Sequence, residues 1–260
     1  MNSWSVFVLP YIEQSNLSVE YFFVDPQFGT PCGWSDQANI PFCKTQLPLF
    51  NCPSTPNQPR WDTDQSNFPA NLVHAACGDY AAVSAIKNFV GNACFQLPIS
   101  LNDNTNLQAT PPQLIDEQLA GGMTYNQVTP IVYYVDGTSN TILIAEDAGR
   151  SNYYVNGVLQ PHGPESKEGG WADPNGNFAI DGSSSVDGSI NTINTPAEQV
   201  VGSCAMNCSN NSELYSFHPS GCNVVFADGS VHFLRKSMST CVLSTLVTRA
   251  GGEVINSTDY

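Results

Sequence analysis

Two long stretches of this chain contain too many turn-forming residues to hold a long helix or strand. Residues 25–70 carry eight prolines, each of which removes a backbone donor and interrupts a helix or a central strand. Residues 149–215 are rich in Gly, Asn, Ser and Asp, which favour turns because glycine frees the backbone and the polar side chains bond to it. We therefore expect an α+β fold, mostly β, with a few short helices and long loops.

Other segments carry clear signals for regular elements. Residues 10–17, 111–120 and 239–250 predict helices, because the first two begin at proline and the third has a serine cap and a following glycine. Residues 131–135 and 141–145 are β-branched and aromatic, which predicts two central strands that form a hairpin.

A second hairpin is predicted near the C-terminus, where His218 is followed after nine residues by Asp228 and Gly229. Apolar residues alternate on both sides of this Asp-Gly pair, which tolerates the positive φ angles of a type I′ turn. At 3.3 Å per strand residue, we expect His218 and Asp228 to lie about 15 Å or more apart, so a structural histidine is favoured over a metal ligand. His232 alternates with two apolar neighbours and is expected to face solvent.

This C-terminal pattern resembles the signature of the bacterial prepilin-type processing-associated proteins, which is His, nine residues and Asp-Gly. Similar segments are Leu9-Pro-Tyr-Ile-Glu-Gln14, Phe50-Asn-Cys-Pro-Ser54, Asp136-Gly-Thr-Ser-Asn-Thr-Ile-Leu-Ile-Ala-Glu146, Trp171-Ala-Asp-Pro-Asn-Gly-Asn177, Met206-Asn-Cys-Ser-Asn-Asn-Ser-Glu-Leu-Tyr-Ser-Phe-His218 and Thr248-Arg-Ala-Gly-Gly-Glu-Val254. The resemblance therefore spans nearly the whole chain.

The resemblance implies one pseudopilin-like domain over residues 1–260, built on a type IV pilin-like antiparallel sheet. Residues 149–215 would form a loop-rich insertion, and residues 217–254 would form the signature hairpin and helix. Members of that family begin with a leader and a long apolar helix, whereas this sequence begins at Met1-Asn-Ser-Trp. Contact with a membrane is therefore expected only through a missing N-terminal helix.

The charge balance of the chain limits its partners. Eight basic residues against 23 acidic ones give a formal charge of −15 at pH 7. A phosphate backbone would be repelled, so nucleic acid is not an expected partner, and divalent cations are favoured.

Nine cysteines without paired Cys-x-x-Cys units indicate an oxidising location, so we expect an exported protein in the periplasm, at the cell surface or outside a bacterium. Cys222 and Cys241 are additions to the family pattern, which implies a bond between them. Neighbouring cysteines suggest three further pairs, although other pairings stay open: Cys32 with Cys43, Cys77 with Cys94, and Cys204 with Cys208. Cys52 is left over, and it has no histidine close in sequence to activate it as a nucleophile.

Oxygen-bearing side chains alternate at Asp173, Asn175, Asn177 and Asp181, as they do in loops that bind calcium. The segment departs from an EF-hand, which would have glycine at the sixth position and glutamate at the twelfth. A series of Asx turns is the competing interpretation.

The sequence contains no catalytic motif that we can assign. It has neither the Gly-x-Ser-x-Gly of a nucleophile elbow nor a phosphate loop with lysine. We therefore expect a non-enzymatic, exported, pilin-like protein associated with the cell surface or a secretion system, with protein partners or self-assembly. The alternative is an extracellular solute- or carbohydrate-binding module, in which Trp171, Tyr153 and Tyr154 either stack on a sugar or form the core beneath the loop.

Overall fold

A computed structural model describes residues 2–63, 74–103, 115–124, 128–161, 168–189, 200–211 and 213–253. Its α-helices are α1 (Trp4–Val8), α2 (Ser15–Ser18), α3 (Ile40–Cys43), α4 (Asn88–Phe95) and α5 (Thr240–Val247). Its strands are β1 (Trp61–Asp62), β2 (Ala75–Ala76), β3 (Tyr80–Ile86), β4 (Ile142–Glu146), β5 (Tyr154–Val155), β6 (Val158–Leu159), β7 (Phe178–Ile180), β8 (Gly221–Phe226) and β9 (Val231–Arg235). Short 3-10 helices lie at Leu9–Tyr11, Gln37–Asn39, Pro48–Phe50, Ile131–Tyr133 and Pro174–Gly176.

A five-stranded sheet in the order β7-β3-β4-β8-β9 forms the centre of the fold. Neighbouring strands are antiparallel except for β3 and β7, which are parallel. The remaining strands form two short antiparallel pairs, β1 with β2 and β5 with β6. The predicted α+β class with few short helices is confirmed, with one parallel strand pair in the sheet.

Helix α5 covers the sheet and buries its apolar face. Ser239 caps the helix, because its side-chain oxygen accepts a hydrogen bond from the Val242 amide at 3.2 Å. Leu243 and Leu246 are fully buried in the same apolar cluster as the strands, and each contributes roughly 1.5–3 kcal/mol by leaving water. The predicted C-terminal helix is therefore confirmed, although it ends at Val247 and not near the glycine.

The C-terminal hairpin is confirmed, with a different turn. Strands β8 and β9 pair from Gly221 opposite Arg235 to Val225 opposite Val231. Among the turn residues only Gly229 has a positive φ, of 85°, and its amide donates to the Phe226 carbonyl. This geometry is a type I turn followed by a glycine bulge, so the expected type I′ turn is wrong.

The side chains of β9 point in the opposite directions to those expected. Val231 and Phe233 are exposed, whereas His232 is half-buried with its ring against Phe226 at 4.8 Å between centroids. β9 is the edge strand, and its histidine faces the covered side. The predicted solvent-facing histidine is therefore wrong.

Three other element predictions need correction. Ile131–Tyr133 form a 3-10 helix with exposed side chains, so residues 131–135 do not form a strand and the predicted hairpin with residues 141–145 is wrong. The predicted helix at 10–17 is interrupted at Glu13, which has a φ of 62°. Of the predicted helix at 111–120, residues 111–114 lie outside the described residues and 115–120 form a turn and an isolated bridge to β3.

A second apolar cluster lies beside the sheet and contains the N-terminal helices. Trp171 packs against Phe42 and Phe50, with ring centroids 5.0 and 5.4 Å away, and donates its indole hydrogen to the Thr45 carbonyl. Tyr154 is also buried, with its ring edge-on to Phe217. These aromatic residues form the core beneath the loops, as one of the two interpretations predicted, and not a sugar-stacking surface.

Two disulfides are formed. Cys94 in α4 is bonded to Cys241 in α5, and Cys204 is bonded to Cys208. Only the second pair was predicted. The bonds expected between Cys222 and Cys241 and between Cys77 and Cys94 are wrong, because Cys94 and Cys241 are bonded to each other where α4 and α5 pack together. The bond expected between Cys32 and Cys43 is wrong too, because both are free. The buried thiols are Cys32, Cys43, Cys52, Cys77 and Cys222. No helix within the described ranges has the length and apolar content needed to cross a membrane.

Candidate functional site

Cys52, Glu146 and His218 bring three polar donor atoms to one point. The Cys52 Sγ lies 3.6 Å from His218 Nε2, and the same nitrogen lies 3.2 Å from Glu146 Oε1. One donor atom from each residue lies within 4.8 Å of the other two. Cys52 and Glu146 are buried, whereas the His218 side chain is 29% exposed, so the cluster opens to solvent on the histidine side.

The sheet places Glu146 in this cluster. Glu146 is the last residue of β4, and antiparallel pairing with β8 sets it beside Asn223. The backbone amide of Asn223 donates to Glu146 Oε2 at 2.6 Å, and its side-chain amide donates to the same oxygen at 3.3 Å. One carboxylate oxygen is therefore held by the sheet, and the other is left for His218.

Loops supply the other two residues. Cys52 follows the 3-10 helix Pro48–Phe50, and its amide donates to Asp79 Oδ2 at 2.7 Å. His218 stands before β8, where its amide donates to Ser216 Oγ and its carbonyl accepts from the Asn207 side chain. Both loops are thus fixed by buried or half-buried polar partners.

Burial makes Cys52 a neutral thiol in the absence of a cation. Burial raises the pKa of Cys52 above its usual range, and Glu146 raises it further. The cluster therefore carries no activated thiolate by itself. Its three atom types, sulfur, imidazole nitrogen and carboxylate oxygen, are those that could hold a transition-metal ion.

A network of buried charges supports the Cys52 loop. Asp79 is fully buried; its Oδ1 accepts from the Arg60 guanidinium at 2.5 Å and from the Gly149 amide at 2.9 Å. Arg150 makes an ion pair with Asp147 in the same region, where burial raises the Asp147 pKa to about 7 although Arg150 lowers it. A cavity of about 20 Å³ beside this network and Trp171 has room for one water molecule.

The four predicted calcium ligands lie on one segment but enter different hydrogen-bond networks. Asp173 Oδ1 accepts from the Asn175 amide and side chain at 2.8 and 2.9 Å, which is an Asx turn at the start of a 3-10 helix. Asp181 follows β7 and lies beside the buried Glu213, which accepts from its amide. Asn177 is half-buried between them, and calcium binding here stays a prediction.

The signature residues separate into two places. Asp228 is exposed in the β8–β9 turn, where its Oδ1 accepts from the Ser230 amide at 2.9 Å, while His218 belongs to the cluster with Cys52. Gly229 supplies the turn's positive φ. The spacing from His218 to Asp228 therefore reflects the length of β8 and its turn, and the two side chains are not brought together.

The partners of His218 are not predicted from the sequence. No histidine lies near Cys52 in the chain, and the histidine that it meets, His218, is 166 residues away. One signal could have found them, since Cys52, Glu146 and His218 each lie in a segment that resembles the prepilin-associated family. His74 is exposed and lies apart from the cluster, with its ring facing Trp61, and residue 162 lies outside the described residues.

Comparison with known proteins assigns a family without an activity. No curated protein and no solved structure matches the chain. A family model described as "Protein of unknown function (DUF1559)", whose short name carries a bacterial solute-binding label, matches residues 1–239. Because this match covers most of the chain, the protein belongs to that family.

Proposed function

We propose that this chain is an exported, pilin-like globular domain that acts by binding other protein copies at the cell surface or in a secretion system, and not by catalysis. The α+β fold with its central sheet, the disulfides and the resemblance to prepilin-associated proteins support this proposal. Disulfides are typical of proteins outside the reducing cytosol.

An exposed apolar surface in residues 7–28 is the observation that carries the proposal. Phe7, Tyr11 and Phe28 are 55%, 86% and 71% exposed, and Val19, Phe22, Phe23 and Val24 are exposed beside them in the chain. The rings of Phe7 and Phe23 stack with centroids 5.5 Å apart, which joins helix α1 to the loop after α2. Exposed apolar groupings of this kind mark interaction surfaces, and we assign this one to a second copy of the chain.

The cluster geometry supports a role other than thiol catalysis. A thiol–histidine relay uses one ring nitrogen to take the proton from the thiol, and the N–H of the other ring nitrogen donates an orienting hydrogen bond to an acceptor. Here His218 presents the same Nε2 to both Cys52 and Glu146. The arrangement therefore does not use one ring nitrogen as the proton acceptor and the other to orient the ring.

Self-association tests the proposal. We expect the wild-type chain to form oligomers as its concentration rises, measured by sedimentation velocity, and the Tyr11→Ser, Phe28→Ser double variant to stay monomeric with an unchanged melting temperature. Val186→Ser is the matched control, because Val186 is equally exposed but lies in another loop. A wild-type chain that stays monomeric at every concentration, or a double variant that assembles like the control, would contradict the proposal.

Solute binding is a second candidate, favoured by the solute-binding label of the family. Trp171 and Tyr154, the aromatic residues suited to stacking on a sugar, are buried, so a solute would bind elsewhere on the surface. A ligand-dependent rise in melting temperature across a panel of glycans and small solutes would move this candidate to first place.

A further inference from the structure

We infer that Cys52, Glu146 and His218 form a binding site for one transition-metal ion of the zinc type, with a fourth coordination position open beside His218. This site is separate from the apolar surface of residues 7–28, and it stands or falls independently of the proposed self-assembly. Its three donor atoms are the Cys52 sulfur, Glu146 Oε1 and His218 Nε2.

The distances among the donor atoms fit tetrahedral coordination. Bond lengths near 2.3 Å to sulfur and 2.0–2.2 Å to nitrogen and oxygen place tetrahedral ligands about 3.6 Å apart for sulfur and nitrogen, and about 3.4 Å apart for nitrogen and oxygen. The observed separations are 3.6 Å between Cys52 Sγ and His218 Nε2 and 3.2 Å between His218 Nε2 and Glu146 Oε1. An ion can therefore be bound with small side-chain movements.

Hydrogen bonds account for two of the three contacts, because the Glu146 carboxylate can accept from His218 Nε2 and from the Cys52 thiol, but they leave the contact between Cys52 and His218 unexplained. A ring nitrogen carries either one proton or one lone pair, so Nε2 of His218 can serve only one of its two neighbours through a linear hydrogen bond. A cation between the three groups would instead accept a lone pair from each of them. The convergence of Cys52 and Glu146 on the same nitrogen is what a shared ion requires.

The surroundings hold the ligands in place, as outer contacts do in metal sites. Asn223 donates twice to Glu146 Oε2, which orients the other oxygen toward His218. Asp79 fixes the Cys52 loop through the Cys52 amide, and Ser216 accepts from the His218 amide. These contacts leave the three donor atoms themselves facing one another.

The donor set selects the kind of ion. Thiolate and imidazole favour zinc and related transition metals, whereas calcium and magnesium require oxygen ligands. With the Cys52 thiolate and the Glu146 carboxylate bound, two negative charges match the charge of a divalent cation in a site where both residues are buried. Three protein ligands leave one position for water or for a donor from another molecule.

Binding is coupled to the release of one proton. The Cys52 thiol gives its proton to solvent as its sulfur bonds to the ion, with no oxidation or reduction of either partner. Because protons compete with the ion for the Cys52 sulfur, the apparent affinity should weaken as the pH falls.

Titration of the full chain with Zn²⁺ and with Co²⁺ tests the site. We expect one ion per chain, a rise in melting temperature with Zn²⁺, and a thiolate-to-cobalt charge-transfer band together with the intense visible bands of four-coordinate cobalt. Cys52→Ser should abolish the charge-transfer band. His218→Asn should weaken Zn²⁺ binding at least tenfold, because loss of even an outer contact that orients a metal ligand costs about 10–100-fold.

Two controls keep the test specific. Cys32→Ser changes another buried thiol and His74→Ala removes an exposed histidine, and both should bind like wild type. His218 is part-exposed, so His218→Asn should fold, and circular dichroism would verify this. Absence of the cobalt charge-transfer band in wild type, or a band that persists in Cys52→Ser, would overturn the assignment.

Discussion

At the scale of single residues, the fold tolerates buried acids because they share hydrogen-bond donors and protons. Glu213 is buried, and its Oε1 accepts from the backbone amides of Asp181 and Gly182 at 3.1 and 2.6 Å. Burial raises the pKa of Glu213 well above its usual range, and the neighbouring Asp181 raises it further. The folded chain therefore retains a proton that the unfolded chain releases near pH 4.3, the usual range of glutamate.

The retained proton predicts an unusual pH dependence. A raised folded-state pKa stabilises the protein at low pH, and this contribution is lost as the pH rises from about 4.3 toward the folded pKa. We expect Glu213→Gln, which keeps the accepting oxygen without the titration, to gain stability over wild type as the pH rises, measured by urea unfolding from acid to neutral pH. The exposed Glu20→Gln serves as control, and parallel curves for wild type and Glu213→Gln would contradict this explanation.

Among the helices and strands, sequence motifs of a few residues correctly predicted the elements that depend on contacts within a few residues. The Ser239 cap and the Asp-Gly pair identified helix α5 and the β8–β9 hairpin, because caps and turns act over a few residues. Residues 131–135 have the composition of a strand, but four of their five side chains are exposed, and strand propensity depends on a sheet surface to pack against.

Disulfide pairing shows the same limit. Cys204 and Cys208 are four residues apart and were predicted, whereas Cys94 and Cys241 are separated by 147 residues and meet only because α4 packs on α5. The spacing of cysteines in the sequence carries no information about the contact between Cys94 and Cys241.

The two bonds should differ in their contribution to stability. In the chain-entropy model the 147-residue separation of Cys94 and Cys241 corresponds to about 5 kcal/mol, and the four-residue separation of Cys204 and Cys208 to about 2 kcal/mol. We therefore expect the Cys94→Ala, Cys241→Ala variant to lose more unfolding free energy than Cys204→Ala, Cys208→Ala in guanidinium titrations. Equal losses would show that strain or unfolded-state structure outweighs loop entropy.

At the scale of the whole molecule, two apolar clusters are connected by a buried ion pair. The sheet and its helices form one cluster, and the N-terminal helices with Trp171 form the other. Asp79 joins them, because its carboxylate binds Arg60, the Cys52 loop and the backbone after β4. Cys52, Glu146 and His218 converge at this junction, and the order of strands that produces it could not be read from any single segment.

Asp79→Asn should weaken the connection between the two apolar clusters. Arg60 would remain buried without its counterion, and breaking a buried ion pair in this way costs about 3–5 kcal/mol. We expect a matching loss of unfolding free energy in urea, with tryptophan fluorescence reporting on the N-terminal cluster and circular dichroism on the sheet. Asp25→Asn alters a half-exposed acid in a turn and is the control; an Asp79→Asn variant as stable as this control would remove the ion pair from the explanation.

The five buried thiols can report local opening of the folded chain in five places. Cys32 and Cys43 lie in the N-terminal part, Cys52 and Cys77 lie at or near the junction, and Cys222 lies within the sheet. An alkylating reagent reaches a buried sulfur only while the chain around it is open, so the labelling rate of each cysteine counts openings of its own neighbourhood. Mass spectrometry of the labelled cysteines over time would then show which regions of the native protein open most often and which open least.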